Sequence, residues 1–254
     1  MVSMSPLSKD EILKMRAAGR LASRTLDAVG SLIRSGTTTN EIDRFVHEFT
    51  IKNGAIPAPL GYHGFPKSVC TSVNSCICHG VPDDTPLKDG DTINVDVTSI
   101  LDGYYGDTSR TYFVGEVSEA AKRLSDAAEK AMFKGIEEIR PFATTGDIGF
   151  AINKYVTKCG YFVVREIGGH GIGKRFHDDP FVPSYGKRGR GSKLMPWTCI
   201  TVEPMVNETA GKLVEYDIPG SEIKYYHAAD RCLSAQFEHT VLITDTGYEI
   251  MTLS

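Results

Sequence analysis

The chain has 254 residues, 41% hydrophobic and 24% charged, which fits one large soluble domain or two small ones with a core that needs no staples. Its formal charge of -4 argues against a nucleic-acid protein, which carries a basic face. No apolar run is long enough for a membrane span, Met1 to Pro6 shows no secretory signal, and six cysteines make no dense disulfide framework, so reduced thiols in a cytoplasmic setting are expected.

Ser8-x-x-Glu11 is a capping box that predicts a helix from near Ser8, with Ile12, Met15, Ala18, Ala22, Leu26 and Val29 at helical spacing. Thr38-x-x-Glu41 predicts a second, with Ile42, Phe45, Val46 and Phe49 inward and Gly54 as its stop. Cys76-x-Cys78-His79 has zinc-ligand residue types, but no second close Cys/His pair completes a four-ligand set. Asp91 to Ile100 alternates as a strand, Asp102-Gly103 signals a hairpin turn, and Tyr104 to Val114 returns. Ser118 to Arg140 reads as a helix ending at Pro141, and Thr145 to Cys159 as another stopped by Gly160. Tyr161 to Arg165, Trp197 to Val202 and Ala235 to Thr244 read as further strands. Lys187, Arg188, Arg190 and Lys193 cluster in a glycine-rich stretch that reads as a solvated loop.

Two helix pairs look alike. Ile33 to Gly54 aligns without gaps on Ile139 to Gly160, with seven identities in 22 positions, including the capping threonines Thr38/Thr144 and the stops Gly54/Gly160. Either two helices independently need similar caps, or the chain is an internal duplication offset by 106 residues, with halves of roughly 8–115 and 117–254 packed as one domain. Adding that offset to Asp96 lands on Val202, beside Glu203, so each half presents an acidic residue at a similar place.

In the predicted hairpin Asp96 faces Ser109 and Asp107 faces Thr98, which makes the two aspartates diagonal neighbours roughly 7–8 Å apart. That face is either solvated or, given Val95 and Val97 behind it, a partly buried pair of like charges that needs cations. Gly168-Gly169-His170-Gly171-Ile172-Gly173 is not in dinucleotide-fingerprint order, but its glycines permit close approach to a ligand, and His177 lies seven residues beyond His170. Glu203 and Glu238 are flanked by apolar strand residues, where a carboxylate needs a basic partner or a metal. Four carboxylates and one imidazole suit Mn, Fe, Co or Zn better than a thiolate zinc site does. Two such ions about 3.5–4 Å apart can activate a shared water.

The order Asp96, Asp107, His170, Glu203, Glu238 resembles the ligand set of type I methionine aminopeptidases, and the resemblance runs along nearly the whole chain. It is carried by Gly61 to Cys70, Cys78-His79-Gly80-Val81-Pro82, Asn94 to Thr98, Gly106 to Ser109, Gly169 to Gly173, Glu203-Pro204-Met205 and Gln236 to Thr240. The resemblance implies the α+β pita-bread fold, with two pseudo-symmetric halves and an antiparallel sheet covered by helices. It implies two divalent ions: one on Asp96, one on His170 and Glu203, with Asp107 and Glu238 bridging both. Glu203 would shuttle the proton, His177 would polarise the scissile carbonyl, and His79 would contact the scissile amide. Tyr62, Phe65, Cys70 and Phe176 match the lining of a methionine pocket. The substrates implied are N-terminal methionine peptides of nascent proteins with a small second residue, met by a monomer that is a candidate for docking at the ribosome.

Some positions depart from the family pattern. Pro59 stands where a cysteine is frequent, Lys224 where some bacterial members carry tryptophan, and Pro196-Trp197 where Pro-Gly is usual; Ile167 and Ser184 also differ. These bear on pocket shape rather than reaction type. Proline-specific aminopeptidases and prolidases share the ligand order but normally carry a large N-terminal domain, of which no trace is expected here. The short Glu203–Glu238 gap leaves no room for the type II helical insertion, and the short N-terminus none for a zinc-finger extension. A non-catalytic binding protein on this scaffold typically loses ligands, whereas all five are present.

Overall fold

The first helix, α1 (Lys9–Val29), starts at Ser8, whose hydroxyl accepts from the Glu11 N–H while the Glu11 carboxylate accepts from the Ser8 N–H. Its buried stripe of Ile12, Met15, Ala18, Ala22, Leu26 and Val29 is the one its spacing predicts. Thr38 and Glu41 cap α2 (Thr39–Lys52) in the same way. These elements belong to a computed structural model that describes residues 5–254; residues 1–4, the start of the Met1–Pro6 stretch read for a signal, lie outside the described residues.

The chain continues through β1 (Ile56–Pro57), β2 (Cys70–Val73), β3 (Cys76–Cys78), and the long hairpin of β4 (Thr92–Leu101) and β5 (Tyr104–Phe113). Asp102 and Gly103, both at positive φ, form its two-residue turn, which matches the right-handed twist of the strands. Then come α3 (Glu119–Ile136), α4 (Thr145–Lys158), β6 (Phe162–Val163), β7 (Gly169–Ile172), β8 (Asp178–Val182), β9 (Cys199–Val202), β10 (Met205–Asn207), β11 (Leu213–Asp217), β12 (Lys224–Ala228), β13 (Ser234–Gln236), β14 (Glu238–Ile243) and β15 (Tyr248–Ile250).

An antiparallel nine-stranded sheet in the order β1-β4-β5-β14-β9-β7-β8, with β2 also on β4 and β15 on β14, is the scaffold. Two three-stranded sheets, β13-β10-β6 and β11-β12-β3, flank it. The helices α1 and α2 bury Ala22, Leu26, Ile42 and Val46 against Ile93, Val95 and Val97 of β4. The helices α3 and α4 bury Leu124, Met132, Ile148 and Ile152 against Ile200, Val202 and Val241 of β9 and β14. The expected α+β pita-bread fold is therefore present, with a helix pair over each part of the sheet. All six cysteines are free thiols.

Several expected boundaries differ. The helix expected to reach Arg140 ends at Ile136, because Glu138 and Ile139 bond three residues back and unwind the chain ahead of Pro141. The strand expected from Trp197 begins at Cys199, since Trp197 takes a positive φ. Ala235 to Thr244 is two strands in two sheets, the chain changing sheet at Phe237. Only Phe162 and Val163 of Tyr161 to Arg165 form a strand. The loop with Lys187, Arg190 and Lys193 is exposed, as expected, and Arg188 pairs with Glu138 at 2.7 Å.

Gly106 decides how closely α1 seats on the hairpin. A Cβ there would overlap the backbone of Ala18 and Gly19. Gly106→Ala is expected to destabilise the protein by about 1–3 kcal/mol through overpacking, read as a lower denaturant midpoint. An unchanged midpoint would mean that α1 does not press on β5 at this position.

Candidate metal centre

Strand alternation assembles the site. Ser109 on β5 lies opposite Asp96 on β4 and opposite Glu238 on β14, so these two carboxylates share one face of the sheet. Asp107, two residues before Ser109 and opposite Thr98, joins them in the register the hairpin turn predicts. On the other side, His239 pairs with Val202 and Gly171 with Ile200, which brings Glu203 and His170 to the same face. The His170 Nε2 lies 3.7 Å from Asp107 Oδ2 and 3.6 Å from Glu203 Oε1. Asp107, His170 and Glu238 each offer a ligand atom within 4.8 Å of the others.

These groups are held from behind. The Thr98 hydroxyl donates to Asp107 Oδ1 at 2.7 Å, and the Thr201 hydroxyl donates to Glu203 Oε1 at 2.8 Å while accepting from the His170 N–H at 3.0 Å. The Gln236 Nε2 donates to Glu203 Oε2 at 3.3 Å. His170 donates from Nδ1 to the Gly171 carbonyl at 3.0 Å, which leaves the Nε2 lone pair turned to the carboxylates, the tautomer a metal ligand needs.

Electrostatically the cluster is unfinished. Asp107 and Glu238 are only 4% and 2% exposed, and among the described residues no Lys or Arg pairs with any of the four carboxylates. Desolvation, then mutual repulsion, pushes Asp96 and Glu238 well above the ordinary carboxylate range. Desolvation pushes Asp107 up to about 7; desolvation, then the Asp107 charge, pushes Glu203 up to about 8. Burial lowers His170 to about 4, so it is neutral at pH 7. Asp96 Oδ1 and Glu238 Oε1 are buried with no hydrogen-bond partner. Orphaned acceptors and uncompensated like charges on hard and borderline donors are what divalent cations satisfy, so the residues fit a divalent-metal site.

A cavity of about 200 Å3 opens over the cluster, lined by all five residues together with Tyr62, Phe65, Cys70, His79, Phe176 and His177. Phe65 and Cys70 are buried with Ile218 against Ile223 and Tyr225, which forms an apolar wall. His79, at positive φ, donates from Nδ1 to the Lys224 carbonyl at 3.0 Å, and burial keeps it neutral. His177 bonds the Tyr62 hydroxyl at 2.9 Å. Of the departures, Pro59 and Ile167 line the cavity, whereas the Lys224 ammonium turns to Glu215 and Asp217 at 3.0 and 3.3 Å. Sequence reasoning missed the supporting roles of Thr201 and Gln236 and the wall residue Ile223. Thr201 had a usable signal, standing two residues before Glu203 where the chain leaves β9 and so on its face; Gln236 had none, because it lies across a change of sheet.

Comparison with known proteins places this geometry. The pattern of metallopeptidase family M24 matches residues 13–245. A methionine aminopeptidase of Rickettsia prowazekii is 50% identical over 97% of this chain and 94% of its own length, and one from Escherichia coli K12 is 42% identical over 99% and 95%. The crystal structure of a Rickettsia prowazekii methionine aminopeptidase superposes with a TM-score of 0.95 at 48% identity, covering 99% of this chain and 100% of that one. A Pyrococcus horikoshii prolidase, at 23% identity and TM-score 0.77 over 98% of this chain and 63% of its own, shares the fold. The scaffold is that of a metallopeptidase, and the cluster is compatible with a metal site. The chain belongs to metallopeptidase family M24.

Proposed function

We propose that this chain is a methionine aminopeptidase that removes the N-terminal methionine of nascent proteins with two divalent ions, drawn from Co, Mn, Fe or Zn. The observation that carries the reading is the cluster of four carboxylates, two buried and two half-buried, with one neutral imidazole under a cavity with an apolar wall. Asp96 would hold one ion, His170 and Glu203 the other, and Asp107 and Glu238 both. Divalent ions supply Lewis-acid polarisation and make water a competent nucleophile near neutral pH.

The remaining work falls to the chain's own groups. Glu203, backed by Thr201 and Gln236, takes the proton from the attacking water and passes it to the leaving amine. His79 carries its proton on Nδ1, committed to Lys224, so Nε2 accepts from the N–H of the scissile amide. His177, held below the ordinary histidine range by desolvation and by His170 and His79, is a neutral donor for the carbonyl oxygen as negative charge grows on it. Tyr62, Phe65, Cys70 and Phe176 surround the methionine side chain.

The same reading takes residues 8–115 and 117–254 as duplicated halves of one catalytic domain. Its support is that Thr38 and Thr144 each cap a 14-residue helix, and each forms an isolated antiparallel bridge, to Pro86 and to Lys193. The reading takes the enzyme as a monomer. Nascent substrates make the cytoplasm, at or near the ribosome, the place of action; the membrane has no part in it, and no described helix is long and apolar enough to cross one.

Peptide assays test the specificity. Met-Gly peptides are expected to be cleaved well, Met-Lys peptides at least about tenfold less efficiently, and Xaa-Pro peptides not at all. A preference for Xaa-Pro would replace this reading with a prolidase-type one, and equal cleavage of Met-Gly and Met-Lys would remove the small-residue preference.

A further inference from the structure

We infer that the Tyr62 hydroxyl is a positioning group for the reaction, fixing the tautomer and the angle of His177, in addition to the place of its ring in the pocket wall. The inference rests on the reading above, in which His177 donates to the scissile carbonyl. His177 is an exposed lining residue of the cavity, in the loop between β7 and β8, where no ladder holds it. Two contacts determine its ring. One is stacking: Tyr105 stacks on Phe176 at 5.5 Å and Phe176 on His177 at 4.3 Å, with interplanar angles of 22° and 15°, and the edge of His170 closes the column at 4.3 Å. Stacking sets the plane of an imidazole but leaves it free to present either edge. The second contact removes that freedom. The Tyr62 hydroxyl lies 2.9 Å from His177 Nδ1, and it is the one hydrogen bond His177 makes among the described residues.

The direction of that bond follows from the donor inventory. A neutral imidazole has one N–H and one lone pair, and a phenol is a good donor. When the Tyr62 O–H donates to Nδ1, the His177 proton is on Nε2, the nitrogen left for substrate. The reverse arrangement would leave Nε2 as an acceptor facing a carbonyl oxygen, which is repulsive. Tyr62 is itself held by the edge of His63 at 4.5 Å and by Phe176 at 4.9 Å, and His63 is tied to Glu222 at 2.7 Å. The phenol therefore imposes, on a histidine whose plane stacking sets but whose edge it leaves free, the tautomer needed for oxyanion stabilisation.

The test is a double-mutant cycle with a direct readout of the tautomer. In the metal-loaded enzyme Tyr62→Phe keeps the ring and is expected to lower kcat about tenfold with KM for a Met-Gly peptide within about twofold. His177→Gln is expected to lower kcat further, and Tyr62→Phe added to it is expected to cost nothing more, because the hydroxyl acts through the histidine. Side-chain 15N shifts of His177 in the intact chain, with and without zinc, are expected to report the proton on Nε2 in the wild type and a mixture of tautomers in Tyr62→Phe. Full kcat in Tyr62→Phe or an undiminished Tyr62→Phe effect in the His177→Gln background would each overturn the inference while leaving the role of His177 standing, and a wild-type proton on Nδ1 would overturn the inference together with that role. Full kcat in His177→Gln would instead remove that role. A wild-type proton on Nδ1 overturns the inference even if a variant fails to fold.

Discussion

His170→Ala is expected to lower kcat/KM by about 1,000-fold or more and to weaken divalent-metal binding in parallel, with the fold retained. The reasoning starts from its tautomer: Nδ1 is committed to the Gly171 carbonyl, so the Nε2 lone pair is the one neutral donor among four carboxylates. Losing an outer partner of a metal ligand typically costs about 10–100-fold, and losing the ligand itself costs more. The fold survives because β7 is held to β8 and β9 by backbone bonds that the side chain does not make. Calorimetric titration with Mn and steady-state assays on the same preparation check both effects. Full activity with unchanged metal affinity would reassign His170 as structural.

The second large effect is on stability, and its sign is unusual. All four carboxylates have raised pKa values in the folded chain, so the folded state binds more protons than the unfolded one. Without metal, the stability these four groups contribute is then full below the ordinary carboxylate range near pH 4. It is lost as pH rises through the folded values, about 7 for Asp107 and about 8 for Glu203. Divalent ions compete with those protons, so the stabilisation they give should grow from pH 6 to pH 8. Glu238→Gln removes one like charge from a 2% exposed position. It is expected to raise the melting temperature of the metal-free protein at pH 8 by several degrees and to abolish most of the increment that Mn gives the wild type. Thermal scans with and without chelator at the two pH values read this directly. A lower metal-free melting temperature for the variant at pH 8 would mean that Glu238 is compensated by something other than a cation.

What could be read in the sequence divides along physical lines. Local signals transferred well: both capping boxes, the buried stripe of α1 and the turn at Asp102-Gly103 came from neighbours in sequence. The turn alone fixed the register that puts Asp96 and Asp107 on one face. The convergence of His170, Glu203 and Glu238 on that face depends on pairings between strands far apart in the chain, which no local pattern specifies; the family resemblance supplied it. What neither supplied was the break between Gln236 and Glu238, where an apparently continuous strand serves two sheets and brings Gln236 behind Glu203. The hairpin of β11 and β12 was also missed. Its residues are mostly half-buried, without clean alternation, yet it delivers Ile223 to the cavity and the Lys224 carbonyl to His79.

The most direct test of the account is anomalous diffraction at the manganese edge from crystals of the whole chain grown with Mn. Two peaks about 3.5–4 Å apart are predicted, with Asp107 and Glu238 touching both, Asp96 on one, and His170 and Glu203 on the other. A cluster without an anomalous peak, or ions bound only elsewhere on the chain, would contradict it.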